Sequence, residues 1–253
     1  MNGIGLRERI ERAGRPLLAT FVIVPRLEVV EALAEAGFDA VVLDAEHGPF
    51  SVGELPPLVA AAQGAGLTTI VRVADERPQP IGAALDAGAD GVLVPRIEGA
   101  SNATTAVAAA RFPPAGRRGA NPFVRGGHYG ADPGFLADDD ARRACLVMVE
   151  SRRAVEEIEA IAALPGLDGL FAGPFDLSAA YGVPGQVDHH EVEAAVERVV
   201  WAAARHGKVS AVFAPTPALA RRRLAQGFDL VALSLDARLM AEAFAAAAAA
   251  VRD

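Results

Sequence analysis

One short pattern recurs four times in this chain of 253 residues, each time closing a helical stretch and opening an apolar one. Gly37-Phe38-Asp39 leads into Ala40–Asp44, and Gly88-Ala89-Asp90 into Gly91–Val94. Gly166-Leu167-Asp168 leads into Gly169–Ala172, and Gly227-Phe228-Asp229 into residues 230–234. Glycine ends a helix in left-handed backbone at least cost. An apolar run without polar alternation is what a strand needs when both faces of a parallel sheet are covered. Four further runs keep the rhythm, at residues 17–24, 69–73, 145–149 and 209–213. Helical patterns lie between the strands, at residues 29–36, 81–87, 154–163, 191–206 and 217–226.

Eight βα units in this length predict one (β/α)8 (TIM) barrel domain over residues 1–253. A doubly wound sheet is the alternative, weakened by the lack of a glycine-rich phosphate loop after the first strand. Residues 111–144 show no clear element. A loop of that length feeding the fifth strand suits a flap or an intersubunit contact.

The balance of residues narrows the partners. A formal charge of −8 and a pI near 5.2 argue against nucleic acid. No apolar run reaches the roughly 18 residues of a membrane span. The alanine-rich stretch 241–251 is the nearest, and it is short. The first fifteen residues carry four arginines and two glutamates and no apolar signal core. The single cysteine, Cys145, excludes an internal disulfide and is compatible with a reducing cytoplasm. Lys208 is the only lysine.

In a barrel, residues just past the C-terminal end of each strand face the active site. Those positions hold Pro25-Arg26, then Asp44, Glu46 and His47, Arg72, Pro95-Arg96, Glu150, Gly173-Pro174-Phe175-Asp176, residues 213–215 and residues 234–236. Glu150 and Asp176 follow consecutive strands, so they can converge on one hard cation, or cap helices and pair with arginines instead. Arg72 interrupts an uncharged strand and needs an anion, either Asp44 or Glu46 or a substrate oxyanion. His47 near Asp44 suggests a base whose ring is oriented by a carboxylate, the alternative being a solvated loop histidine. No histidine pair has the spacing of a zinc-binding helix.

The segments Leu43-Asp44-Ala45-Glu46-His47, Val71-Arg72-Val73, Val94-Pro95-Arg96-Ile97-Glu98, Phe112-Pro113-Pro114-Ala115-Gly116-Arg117-Arg118-Gly119, Met148-Val149-Glu150 and Gly173-Pro174-Phe175-Asp176-Leu177-Ser178 occur in an order that resembles the HpcH/HpaI aldolase and citrate lyase family. The likeness is to its short 2-keto-acid aldolase branch and covers nearly the whole chain. It implies a class II, metal-dependent pyruvate aldolase on a (β/α)8 barrel. Such enzymes cleave a 4-hydroxy-2-oxo acid reversibly to pyruvate or hydroxypyruvate and an aldehyde. It further implies a cytoplasmic hexamer with the last helix exchanged between subunits.

By position, the resemblance makes Glu150 and Asp176 the ligands of Mg²⁺, Mn²⁺ or Co²⁺, which pyruvate's keto and carboxylate oxygens would chelate. Arg72 would face the keto oxygen, and His47, paired with Asp44, would be the base. Gly173, Pro174, Phe175 and Asp176 would bind substrate, with backbone N–H groups near Phe175 and Asp176 receiving the carboxylate. An acyl-CoA lyase of the citrate lyase type is the alternative, against which stands the absence of a basic cluster for CoA phosphates. Schiff-base chemistry needs a lysine inside the barrel, and Lys208 precedes the seventh strand, at the opposite end from the strand tips. Phe175, Met148 and Pro25-Arg26 depart from the family's pattern and bear on the aldehyde partner.

Overall fold

The computed structural model describes residues 4–252. Helix α1 (Leu6–Ala13) precedes β1 (Leu17–Val22), α2 (Leu27–Glu35), β2 (Ala40–Asp44), α3 (Leu55–Gly64), β3 (Thr68–Arg72), α4 (Pro78–Asp86), β4 (Gly91–Val94) and α5 (Ala100–Ala110). The second half runs α6 (Phe135–Arg142), β5 (Ala144–Val149), α7 (Arg152–Glu156), α8 (Ile158–Ala162), β6 (Gly169–Ala172), α9 (Pro174–Ala180), α10 (His190–Arg205), β7 (Val209–Ala214), α11 (Pro217–Ala225), β8 (Leu230–Leu235) and α12 (Asp236–Arg252). Consecutive strands pair in parallel and β8 returns to β1, closing the barrel. The eight apolar runs are these eight strands, and closure excludes the doubly wound sheet.

The fourfold pattern has a physical cause at the bottom of the barrel. Each opening glycine, such as Gly37 (φ 89°), adopts left-handed backbone, as do Gly88, Gly166 and Gly227. Each following aspartate then caps the first amides of the odd-numbered strand before it. Asp39 accepts from the N–H of Leu18 at 2.9 Å and Asp90 from Thr69 at 2.8 Å. Asp168 accepts from Cys145 at 2.6 Å and Asp229 from Ser210 at 2.8 Å. Four carboxylates thus satisfy strand-end donors that α-helices and loops leave open.

Side-chain alternation sorts each strand between two apolar layers. Along β2, Val41 and Leu43 pack against the helices, and Ala40 and Val42 fill the lumen. The same parity sends Ile70 of β3, Leu146 and Met148 of β5, and Phe171 of β6 inward. Continuing it by one step aims Asp44, Arg72, Glu150 and Gly173 at the mouth.

Residues 111–144 are more structured than the sequence pattern suggests. They contain a 3-10 turn (Arg125–Gly130) and α6. Buried Arg118 stacks on Phe112, its guanidinium carbon 4.4 Å from the ring centre, and bonds Asp139 at 2.8 Å and Asp86 at 2.9 Å. Arg125 donates to Ala87 O and Arg143 to Gly88 O and Ala89 O. These ties lie on the lead-in to β4, opposite the mouth, so within this chain the segment is a brace under the barrel and not a flap over the site. Such isolated arginine anchors carry no periodic signal.

Candidate active site

At the C-terminal mouth a cavity of about 350 Å³ is lined by Asp44, His47, Arg72 and Gly173 to Asp176, above a floor and wall of Phe21, Met148, Phe171, Phe213 and Leu235. The last residues of β2 and β3 pair in register, Asp44 beside Arg72. Arg72 donates from Nε to Asp44 Oδ1 at 2.9 Å and from Nη2 to Oδ2 at 2.6 Å, and its Nη1 stands 3.2 Å from Glu46 Oε2. Its guanidinium carbon also lies 4.8 Å over the Phe21 ring. The half-buried arginine therefore takes the protein's own carboxylates as partners, which preorganises the guanidinium and leaves it facing the cavity.

The imidazole of His47 is not set against Asp44. Asp44 Oδ1 accepts the backbone N–H groups of Glu46 and His47, both at 3.1 Å, and so shapes the turn after β2. The ring itself is exposed, and its Nε2 stands 3.8 Å from Glu46 Oε2. Asp44 is thus the anchor of Arg72, and the nearest carboxylate to the His47 ring belongs to Glu46. The pairing expected from proximity in sequence fails because the register with β3 gives Asp44 a stronger partner.

Glu46 and Arg96 were not among the expected site residues, though both stand at strand ends. Glu46 is nearly buried and holds Arg72 on one side and Arg96 Nε, at 2.8 Å, on the other. Arg96 adopts left-handed backbone (φ 58°), a conformation costly for a non-glycine residue. That bend turns its N–H onto Glu150 Oε1. The available signals were their places after β2 and β4 and within two of the segments that carry the resemblance, none of which gave Arg96 a role or Glu46 more than that of a candidate anion for Arg72. Among the described residues the Arg26 side chain makes one hydrogen bond, to Pro25 O, forms no ion pair with Glu28, and does not line the cavity.

Glu150 and Asp176 come from the ends of β5 and the first turn of α9. Burial, then the charges of Asp176 and Glu46, push the Glu150 carboxyl up from 4.5 to about 7, against the N–H bond from Arg96. Asp44, Glu46, Glu150 and Asp176 bring four carboxylates to this end against the two guanidiniums of Arg72 and Arg96. The excess negative charge and all-oxygen donors fit a hard divalent ion. Gly173 leaves the room: a Cβ there would lie 3.1 Å from Glu150 Oε2 and 3.3 Å from the Met148 methyl. Elsewhere, donor atoms of His189, His190 and Glu191 lie within 4.8 Å of one another at the start of α10, but none lines the cavity.

Residues 18–243 match the model of the HpcH/HpaI aldolase/citrate lyase family. A protein of Klebsiella pneumoniae named 5-keto-4-deoxy-D-glucarate aldolase is 43% identical over 206 residues, 81% of this chain and 80% of that protein. A crystal structure of an HpcH/HpaI aldolase/citrate lyase family protein from Burkholderia cenocepacia superposes with a TM-score of 0.92 at 36% identity, covering 98% of this chain and 99% of that one. An HpcH/HpaI aldolase from Desulfitobacterium hafniense superposes with a TM-score of 0.90 at 27% identity, over 99% and 97%. Fold, strand-end chemistry and these likenesses agree: the chain belongs to the HpcH/HpaI aldolase/citrate lyase family.

Proposed function

We propose that this chain is a metal-dependent (class II) aldolase that reversibly cleaves a 4-hydroxy-2-oxo acid to pyruvate, or hydroxypyruvate, and an aldehyde. One juxtaposition carries the reading: Asp176 lines the mouth with a guanidinium, Arg72, already fixed by Asp44 and Glu46, and the half-buried Glu150 just past β5 lies near enough for the charges of both to act on its carboxyl. The relatives named 5-keto-4-deoxy-D-glucarate aldolase support the same activity class. Glu150 and Asp176 would hold Mg²⁺, Mn²⁺ or Co²⁺. When bound, such an ion supplies Lewis acidity toward the keto oxygen and offsets the charge of the carboxylates.

In the cleavage direction His47 takes the proton of the 4-hydroxyl. The C3–C4 bond breaks, its electron pair passes into C2–C3, and negative charge builds on the 2-keto oxygen. Arg72 donates to that oxygen, held in place so that no reorganisation is needed as the charge appears. The aldehyde departs, and a proton delivered to C3 makes the methyl group of pyruvate. Positioned proton transfer accounts for about 10²–10⁴-fold of such a rate. Backbone N–H groups of Phe175 and Asp176, in the first turn of α9, receive the substrate carboxylate. Pyruvate release from 4-hydroxy-2-oxo acids, followed by reduction with lactate dehydrogenase, tests the activity. Turnover that stops with chelator and returns with a divalent ion supports it; chelator-insensitive turnover overturns the metal-dependent mechanism.

The same reading extends to a cytoplasmic hexamer in which α12 is exchanged between subunits. Phe244 and Val251 of that helix are exposed, as are Phe123 and Tyr129 of the long segment, and suit contacts between copies. No described helix is long and apolar enough to cross a membrane. Light scattering coupled to gel filtration measures the assembly, and a monomer would contradict this extension.

A further inference from the structure

The cavity wall is aromatic from floor to rim. Phe171 stands edge-on to Phe21 at 5.9 Å, Phe21 to Phe213 at 5.7 Å, and Phe213 lies 5.8 Å from Phe175. The last ring, in the first turn of α9, is 45% exposed and closes one side of the opening. Charge is distributed differently. Among the described residues Arg72 is the only guanidinium lining the cavity; Asp44 and Glu46 engage all three of its nitrogens, and the N–H capacity left over serves the keto oxygen. The other cation of the mouth, Arg96, is bonded to Glu46 and lies outside the lining, and Arg26 does not reach it.

A 2-oxo acid has one carboxylate, which the start of α9 and the ion accommodate. A second carboxylate, on the aldehyde half, would be desolvated against phenyl rings and the charge of Asp176 with no free cation to meet it. We propose that the aldehyde partner is uncharged and apolar, an aryl or branched alkyl aldehyde, and that Phe175 is the residue that selects it. The inference rests on the aldolase reading. It also separates this chain from relatives named for 5-keto-4-deoxy-D-glucarate, a dicarboxylate whose aldehyde half keeps an acid group. A single methylene in an apolar pocket discriminates by about 10–200-fold, and a phenyl ring offers more surface than that.

The test is aldol addition of pyruvate, with Mn²⁺ present, to benzaldehyde and to glyoxylate, the smallest carboxylated aldehyde. The expected kcat/KM favours benzaldehyde by at least about tenfold, and Phe175→Ser lowers that ratio about tenfold. The ratio is blind to any loss common to both aldehydes. Phe175→Leu, which keeps apolar surface without the ring, lowers it less. A preference for glyoxylate, or a ratio unmoved by Phe175→Ser, overturns the inference. Exchange of pyruvate methyl protons, measured on the same samples, separates the two failures. Exchange with the wrong aldehyde preference sinks the inference alone, and absence of exchange sinks the aldolase reading with it.

Discussion

Arg72 and Asp44 face each other across the last paired residues of β3 and β2, joined by parallel hydrogen bonds of 2.9 and 2.6 Å. Glu46 holds the third nitrogen. Paired in this way, the guanidinium cannot swing away when substrate is absent, so its orientation toward the keto oxygen costs little at the moment of reaction.

Arg72→Lys keeps a positive charge but loses the planar fork. Its kcat for pyruvate release should fall about 10²–10³-fold, the usual loss for one oxyanion donor. Asp44→Asn should cost less, because Glu46 still holds Nη1. Steady-state kinetics of the two variants decide the order, and an Arg72→Lys enzyme of parental kcat would contradict it.

The metal prediction has a readout apart from turnover. Mn²⁺ affinity, followed by the electron paramagnetic resonance of the free ion, should drop strongly in Glu150→Gln. Gly173→Ala should weaken it about 10–100-fold by pressing a methyl group toward Glu150 Oε2. Unchanged affinity in both variants would remove Glu150 from the ligand set.

Lys208 donates its Nζ to Leu164 O and Leu167 O at the foot of β7, and burial lowers its pKa. A lowered pKa alone would suit Schiff-base chemistry, but its place at the far end of the barrel does not. Borohydride added with pyruvate should leave the mass of the protein unchanged, and Lys208→Met should keep its turnover. A reduced pyruvate adduct on Lys208 would contradict the class II mechanism.

The aspartate caps under the barrel predict a stability pattern. Asp90→Ala and Asp229→Ala each leave a strand amide without its carboxylate and should cost about 1–3 kcal/mol in urea unfolding. Asp39 adds a pH dependence. Partial burial would raise its carboxyl, but the Arg15 guanidinium and the Leu18 N–H outweigh burial and hold it below the usual 3.8. A depressed carboxyl stabilises the folded state fully above the unfolded value and loses that contribution as pH falls through the folded one. The stability gap between the parent and Asp39→Asn should therefore be constant at neutral pH and close below about pH 4. A gap that widens in acid would contradict this.

Much of the architecture was legible because strand period and helix ends are local properties. Gly37, Gly88, Gly166 and Gly227 mark four strand starts without reference to the rest of the chain. What their aspartates do was not legible, since each carboxylate reaches an amide about 20 residues earlier, an encounter made only when the barrel closes. The strand-end positions likewise named Asp44, His47, Arg72, Glu150 and Asp176 and offered Asp44 or Glu46 as the anion of Arg72, while the choice between that pair and a pairing of Asp44 with His47 depended on register. Asp44 lies three residues from His47 yet bonds Arg72, and Glu46 joins Arg72 to Arg96. The aromatic wall was hidden for another reason: Phe21, Phe171 and Phe213 read as ordinary core until lumen and outer layer are told apart.

Deuterium exchange at the methyl group of pyruvate, watched by proton NMR without any aldehyde, isolates the deprotonation on which the account turns. The parent should exchange with Mg²⁺, Mn²⁺ or Co²⁺ and stop when the ion is chelated, and Glu150→Gln should exchange far more slowly at equal ion concentration. Exchange that proceeds at the parental rate in chelator, or that never occurs with any of the three ions, would contradict it.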